Sequence, residues 1–260
     1  MLSQSPRPSI VVLEDNTPFP SLDQAWGKDS SAPGLLAAGG GLSVKRLQEA
    51  YTKGIFPWYS SGQPVLWWST DPRMVLEPVK FKLSASLKKS LKRFIQKPGC
   101  EIKVDSAFLR VIEHCAGMER EGQGGTWITP EMLDAYHQLH LAGLAHSIET
   151  WQDGVLVGGL YLVNIGRAIF GESMFTLQTD ASKIALSALV AFAKHHRIEL
   201  IDCQQKTAHL SSLGGQTIDR ADFLNRISPQ LNQKAPLWIF KPIYWQEILI
   251  HPRLSSPSCT

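Results

Sequence analysis

The chain has 260 residues, 43% of them hydrophobic and 19% charged, with a formal net charge of +3. That composition belongs to a globular protein whose core needs no disulfide or metal staple, built as one large domain or two small ones. It excludes collagen-like and intrinsically disordered chains, and so mild a basic balance does not by itself mark a nucleic-acid binder.

Residues 1–33 are rich in Ser, Pro and Asp and read as an extended, irregular lead-in. They lack the basic start and apolar core of a signal peptide. Leu35-Leu36-Ala37-Ala38 runs into Gly39-Gly40-Gly41. Ser43 then opens a helical pattern with Leu47, Ala50 and Tyr51 on one face and Gly54 beyond its end. A small N-terminal unit is expected over residues 1–78. From Lys80 to Lys103 the charge is one-sided: Lys80, Lys82, Lys88, Lys89, Lys92, Arg93, Lys97 and Lys103 meet only Glu101. Leu83, Leu87, Leu91 and Phe94 recur between them at helical spacing, which predicts a basic amphipathic helix. Two readings of its cations stay open, a solvated face and a patch that contacts phosphates.

Asp105 is expected to begin a further helix carrying Phe108, Val111, Ile112 and Cys115. Thr129-Pro130-Glu131 begins the next, with a cap, a first-position proline and a first-turn acid; Tyr136 and Leu139 follow on its apolar face and Gly143 ends it. The period then changes. His146–Trp151, Val155–Ile165 and Arg167–Phe175 read as strands joined at Asp153-Gly154 and Gly166. Asp180 is expected to cap a helix bearing Ile184, Leu186, Leu189, Val190 and Phe192, with cations at its C-terminal end. This is the richest apolar helix, and it is too short to span a bilayer. Ile198–Cys203 reads as a strand, Asp219–Ile227 as a helix, and residues 252–260 as a flexible tail.

The four cysteines, Cys100, Cys115, Cys203 and Cys259, form no C-x-x-C pair and no zinc-spaced cluster with histidine. They read as free thiols of a reducing compartment, so a cytoplasmic protein without a metal or membrane attachment is expected. The element order predicts a mixed α/β (α+β) fold, a mainly antiparallel sheet flanked by helices. GNAT-type acyltransferases share that order, so residues 79–251 are expected to form a GNAT-like domain by fold analogy. Their [QR]-x-x-G-x-[GA] loop for coenzyme A is missing here, as are the G-x-x-x-x-G-K-[ST] and G-x-G-x-x-G phosphate loops. A different acyl carrier is implied.

Three separated segments mix large apolar side chains with polar groups that are costly to bury unpaired: Gly54–Trp58, Phe170–Phe175 and Ile201–Gln204. Asp202 and Gln204 lie two apart on a strand, so they are expected to share a face while Ile201 and Cys203 point the other way. The carboxylate could orient the amide oxygen to receive a proton-bearing amine that attacks a carbonyl; a structural pair ending the strand is the alternative. Glu172, among apolar neighbours, calls for an amine, hydroxyl or backbone partner, or is a satisfied strand-end acid. Trp58 and Trp127 sit beside Gly or Pro in loops, where aromatics stack on bases, wall a pocket or simply pack. A thiol triad of Cys203, His209 and Asp202 is disfavoured, because Cys203 is expected to turn away from Asp202.

These residues, with Leu66-Trp67-Trp68-Ser69, Asp71-Pro72-Arg73, Gly125-Thr126-Trp127, His146-Ser147-Ile148-Glu149, Gly171-Glu172-Ser173-Met174-Phe175 and Ser212-Leu213-Gly214, make the chain resemble the leucyl/phenylalanyl-tRNA–protein transferase family. The resemblance runs over residues 19–225 in unchanged order. It implies transfer of Leu or Phe, with Met a further candidate, from aminoacyl-tRNA to the N-terminal α-amino group of proteins beginning with Arg or Lys. The product is a peptide bond that marks the protein for degradation, and no cofactor or metal is implied. By the same resemblance Asp202 and Gln204 are the catalytic pair, and Glu172 holds an amine or orders the site. Trp58, Trp127, Leu160, Met174, Leu186 and Ile201 surround the aminoacyl end, and Lys88, Lys89, Lys92 and Arg93 meet the tRNA backbone. Leu160 is Met in some relatives, which bears on the balance between Leu and Phe. A coenzyme A-dependent N-acyltransferase and a non-catalytic RNA-binding protein are the rival readings.

Overall fold

The computed structural model describes residues 9–118 and 128–249. In the N-terminal part, strands β1 (Val11–Leu13), β2 (Leu35–Gly39), β3 (Phe56–Pro57) and β4 (Leu66–Trp68) pair in the order β1-β2-β4-β3. Helix α1 (Val44–Thr52) connects β2 to β3. The Ser43 side chain accepts the Arg46 N–H at its start, and Gly54 at φ 69° turns the chain after its end. The lead-in is more ordered than expected: β1 lies parallel to β2, and Phe19 meets Trp67 edge-on at 4.9 Å. A three-residue strand has too few positions to show a period of two.

The large sheet has seven strands: β5 (Arg73–Leu76), β6 (Cys100–Val104), β7 (Ala145–Gln152), β8 (Val155–Ile165), β9 (Ala168–Thr176), β10 (Ile201–Gln204) and β11 (Gln216–Ile218). They run in the order β11-β5-β10-β9-β8-β7-β6. Every pair is antiparallel except β9 with β10. The mixed α/β class with a mainly antiparallel sheet is therefore the observed one. Strand β5, which the sequence grouped with the N-terminal unit, is buried in this sheet between β10 and β11.

The remaining helices are α2 (Ala85–Gln96), α3 (Phe108–Ala116), α4 (Pro130–Leu141), α5 (Ala181–His195), α6 (Ala208–Ser212), α7 (Arg220–Leu231) and α8 (Gln246–Leu249). Leu160 and Leu162 of β8 join α5 and α2 in one apolar cluster; Tyr161 and Val163 join α1, α3 and α4 in the other. A sheet covered on both faces explains why β8 reads as a nearly unbroken apolar run. Gly158 allows the close approach of α5, since a Cβ there would lie 2.5 Å from Ala181 Cβ. Among the described residues no helix is long and apolar enough to cross a membrane.

Three local expectations change. Asp180 does not cap α5 with its side chain. It takes φ 64°, and its carboxylate accepts Ser90 Oγ at 2.8 Å and Lys183 Nζ at 3.0 Å, tying α2 to α5. The helix expected from Asp105 begins at Phe108, because Asp105 at φ 57° turns back to accept the Ser147 N–H at 2.8 Å. In the basic run only residues 85–96 are α-helical, and Lys103 lies on β6.

Candidate active site

A cavity of about 410 Å³ opens where β9 and β10 diverge, bounded by β8, α5 and the Phe56–Trp58 segment. Leu160, Met174, Leu186, Leu189 and Ile201 form its apolar end. Glu172 and Gln204 bring polar groups to it, and Trp58 walls one side. The Trp58 backbone is held in turn, its carbonyl accepting Trp68 Nε1 at 2.6 Å.

Two irregularities on neighbouring strands aim these polar groups. In β9, Gly171 pairs with Leu162 and Ser173 with Tyr161, so Glu172 is the extra residue of a bulge. In β10, Asp202 pairs with Val75 and Gln204 with Met74, so Cys203 is the extra residue, and Gln204 takes φ 53°. The expected alternation is therefore broken. Ile201, Cys203 and Gln204 all line the cavity, whereas Asp202 does not. Cys203, expected to turn away, is part of the wall.

Asp202 is fully buried and faces Arg73, which is equally buried. Arg73 Nε donates to Oδ1 at 2.8 Å and an Nη donates to Oδ2 at 2.6 Å. The other Nη donates to the Gly54 carbonyl at 3.1 Å, and the Phe56 and Phe223 rings flank the guanidinium at 4.8 and 4.6 Å. The Asp202 carboxylate also accepts the Gln204 backbone N–H at 3.0 Å, and Thr70 Oγ1 donates to the Gln204 carbonyl at 2.9 Å. Asp202 thus orients the backbone of Gln204, not its amide oxygen as the spacing suggested. Among the described residues the Gln204 side-chain nitrogen is buried without a hydrogen-bond partner.

Tyr51 Oη lies 2.7 Å from Glu172 Oε1 and Tyr136 Oη 3.0 Å from Oε2. Burial pushes the Glu172 carboxyl up to about 7; the two phenol bonds work the other way, Asp202 adds to the rise and Arg73 opposes it. Burial likewise pushes the Cys203 thiol well up, and its Sγ is 3.6 Å from the Ile201 carbonyl, so it is a poor nucleophile. His209 at the rim is held below its ordinary value by burial and by Lys183.

Trp127 lies outside the described residues. Lys88, Lys89, Lys92 and Arg93 line a shallow depression on α2 with Ala85 and Gln96, and share no residue with the cavity. Sequence reasoning missed Arg73, Tyr51 and Tyr136 as parts of this site. A usable signal existed for the first: an arginine heading the apolar run Met74-Val75-Leu76 needs a buried carboxylate.

Comparison with known proteins agrees on one family. The family profile described as leucyl/phenylalanyl-tRNA protein transferase matches residues 75–228, and that of its N-terminal domain matches residues 40–71. A leucyl/phenylalanyl-tRNA–protein transferase of Polaromonas sp. is 56% identical over 256 residues, covering 98% of this chain and 100% of that protein. The one from Leptothrix cholodnii is 59% identical over 235 residues, covering 90% and 92%. Among solved structures, L-PGS from Bacillus licheniformis overlaps 72% of this chain and 58% of its own at 14% identity and a TM-score of 0.36. A GCN5-related N-acetyltransferase from Kribbella flavida overlaps 64% and 58% at 13% identity and a TM-score of 0.31. With a profile spanning most of the large sheet and relatives matched nearly end to end, this chain belongs to the leucyl/phenylalanyl-tRNA–protein transferase family.

Proposed function

We propose that the protein transfers Leu or Phe from aminoacyl-tRNA to the N-terminal α-amino group of proteins that begin with Arg or Lys, marking them for degradation. The observation that carries this reading is the cavity itself, an apolar end for an aliphatic or aromatic side chain beside an unpartnered amide and a buried carboxyl. The aminoacyl side chain lies against Leu160, Met174, Leu186 and Ile201, with Trp58 bordering the ester and the terminal adenosine. An apolar slot discriminates by about 1–3 kcal/mol per methylene, so its shape carries the selection among Leu, Phe and Met.

The donor is an ester and the product an amide, so the reaction runs downhill without ATP. The acceptor nitrogen attacks the ester carbonyl carbon, the bond to the ribose oxygen breaks, and the amine proton leaves with that oxygen. Gln204 lies beside the reacting carbonyl. Its amide can accept from the amine or donate to the oxygen that gains charge, and either assists attack. Asp202 acts behind it by fixing its backbone. Glu172 holds a cation of the acceptor. The α-amino group has an ordinary pKa of about 7.7–8.0, so a useful neutral fraction exists near neutrality and positioning supplies much of the acceleration. Lys88, Lys89, Lys92 and Arg93 contact the tRNA backbone.

The test is transfer of labelled Leu from charged tRNA to a peptide beginning with Arg, without ATP or coenzyme A, beside a matched peptide beginning with Gly. Label on the Arg peptide alone supports the reading; no label on either, with the charged tRNA intact, refutes it. Gln204→Ala is expected to slow transfer far more than it weakens aminoacyl-tRNA binding, and equal losses would remove its part in the reaction.

A further inference from the structure

Three short contacts link Glu172, Tyr51 and Tyr136 in a ring. Tyr51 Oη lies 2.7 Å from Oε1, Tyr136 Oη lies 3.0 Å from Oε2, and the two phenol oxygens are 2.5 Å apart. Each contact needs one hydrogen, and each phenol brings one. A neutral carboxyl brings the third and fills the ring. An ionised carboxyl brings none, and one contact then sets two lone pairs face to face in a buried place, where an unmade hydrogen bond is costly. Neither phenol can open the ring by losing its own proton, because burial and the Glu172 charge hold both well above the ordinary phenol range.

We propose that Glu172, Tyr51 and Tyr136 form a proton-linked seat for the acceptor: with the site empty the ring holds three hydrogens, and a cation of the acceptor's N-terminal residue replaces the one on Glu172. Acceptor binding then releases one proton to solvent, the carboxyl going to carboxylate as the cation arrives, with no further reactant. Tyr51 from α1 and Tyr136 from α4 are positioning residues that set how readily Glu172 gives up that proton. This rests on the transferase reading above.

Other titratable and charged groups around the ring are few. Asp202 of β10 and Arg73 of β5 act on Glu172 with opposite sign, and Tyr161 of β8 acts on Tyr136. Cys203 and His209 line the cavity, with both of their shifts toward the neutral form. The Glu172→Gln variant separates the Glu172 proton from any that these groups exchange.

The experiment has a spectroscopic part and a binding part. Infrared spectra of the free protein at about pH 6 should contain the C=O stretch of a protonated carboxyl that is missing in Glu172→Gln and fades as pH rises through about 7. Adding a peptide that begins with Arg should bleach that band. Its Kd should weaken about tenfold for each pH unit below the Glu172 midpoint, the slope of one proton released. Glu172→Gln should show no slope in this range. Tyr51→Phe with Tyr136→Phe removes the ring and should move the midpoint while keeping the slope. Peptides with N-terminal citrulline and with acetylated N-terminal Arg tell which charge is seated: the one that loses the slope has lost the seated cation. A flat Kd, a band unchanged by the Arg peptide, or an equal slope in Glu172→Gln overturns the proposal. If labelled Leu still reaches the Arg peptide in that case, the transferase reading survives and only the proton linkage falls.

Discussion

Arg73→Met tests how the Gln204 loop is held. Arg73 and Asp202 are both fully buried, and the guanidinium makes two bonds to the carboxylate and one to the Gly54 carbonyl. Methionine keeps much of the volume between Phe56 and Phe223 and removes the charge. Asp202 is then buried without its counter-ion, a situation that costs about 3–5 kcal/mol. Urea unfolding is the assay, read as a shift of midpoint at unchanged slope. The partner experiment adds Asp202→Asn. That removes the stranded charge and keeps an acceptor for the Gln204 N–H, so the double variant is expected within about 2 kcal/mol of the native protein. It should nevertheless transfer at least about tenfold more slowly, since Gln204 keeps its φ of 53° only while its neighbours hold it. A single variant that loses less than about 1 kcal/mol, or a double variant as unstable as the single, would refute the claim that an uncompensated Asp202 is what costs the stability.

Other outcomes follow from the same physics. The Glu172 carboxyl is raised from 4.5 to about 7, so its contribution to stability is present at low pH and is lost as pH rises through about 7. Glu172→Gln should therefore gain stability over the native protein as pH rises from about 5 to about 8, which paired melting curves measure. Leu189→Trp, placed in the apolar end, should raise KM for Phe-tRNA more than for Leu-tRNA, by roughly tenfold in ratio; equal effects would remove Leu189 from side-chain selection. Serine at Lys88, Lys89, Lys92 and Arg93 should flatten the salt dependence of tRNA binding by about 0.7–0.9 in log–log slope for each phosphate that is no longer neutralised. Gly158→Ala puts a Cβ 2.5 Å from Ala181 Cβ and 2.8 Å from its carbonyl carbon, so β8 and α5 must separate at a cost of about 1–3 kcal/mol in thermal unfolding.

Much of the architecture was legible because long elements repeat their period many times. The strands β7 to β9 and the helices α4 and α5 carry enough alternating or helical positions to fix their type, and turn residues such as Asp153 and Gly154, both at positive φ, mark where they end. The short strands β1, β3, β4 and β11 carry too few residues for any period. Strand β5 is too short to show a period, and its place between β10 and β11 depends on partners that four local residues do not specify. Local sequence also led to Glu172, Gln204, Met174 and Ile201, and the family resemblance led to Leu160 and Leu186; the fold brings them to one cavity.

What the sequence by itself determined was composition, hydrophobic period, most long elements and the motifs that mark the family, all properties of neighbours along the chain. Only the tertiary structure decided which way Asp202 and Gln204 point, because the bulge between them arises from pairing with β5, a strand far away in sequence. It alone joined Arg73 to Asp202 and closed the ring of Tyr51, Tyr136 and Glu172. Those partners lie 36 to 129 positions apart, a distance over which no periodicity constrains a side chain and only the energy of burying unpaired polar groups does.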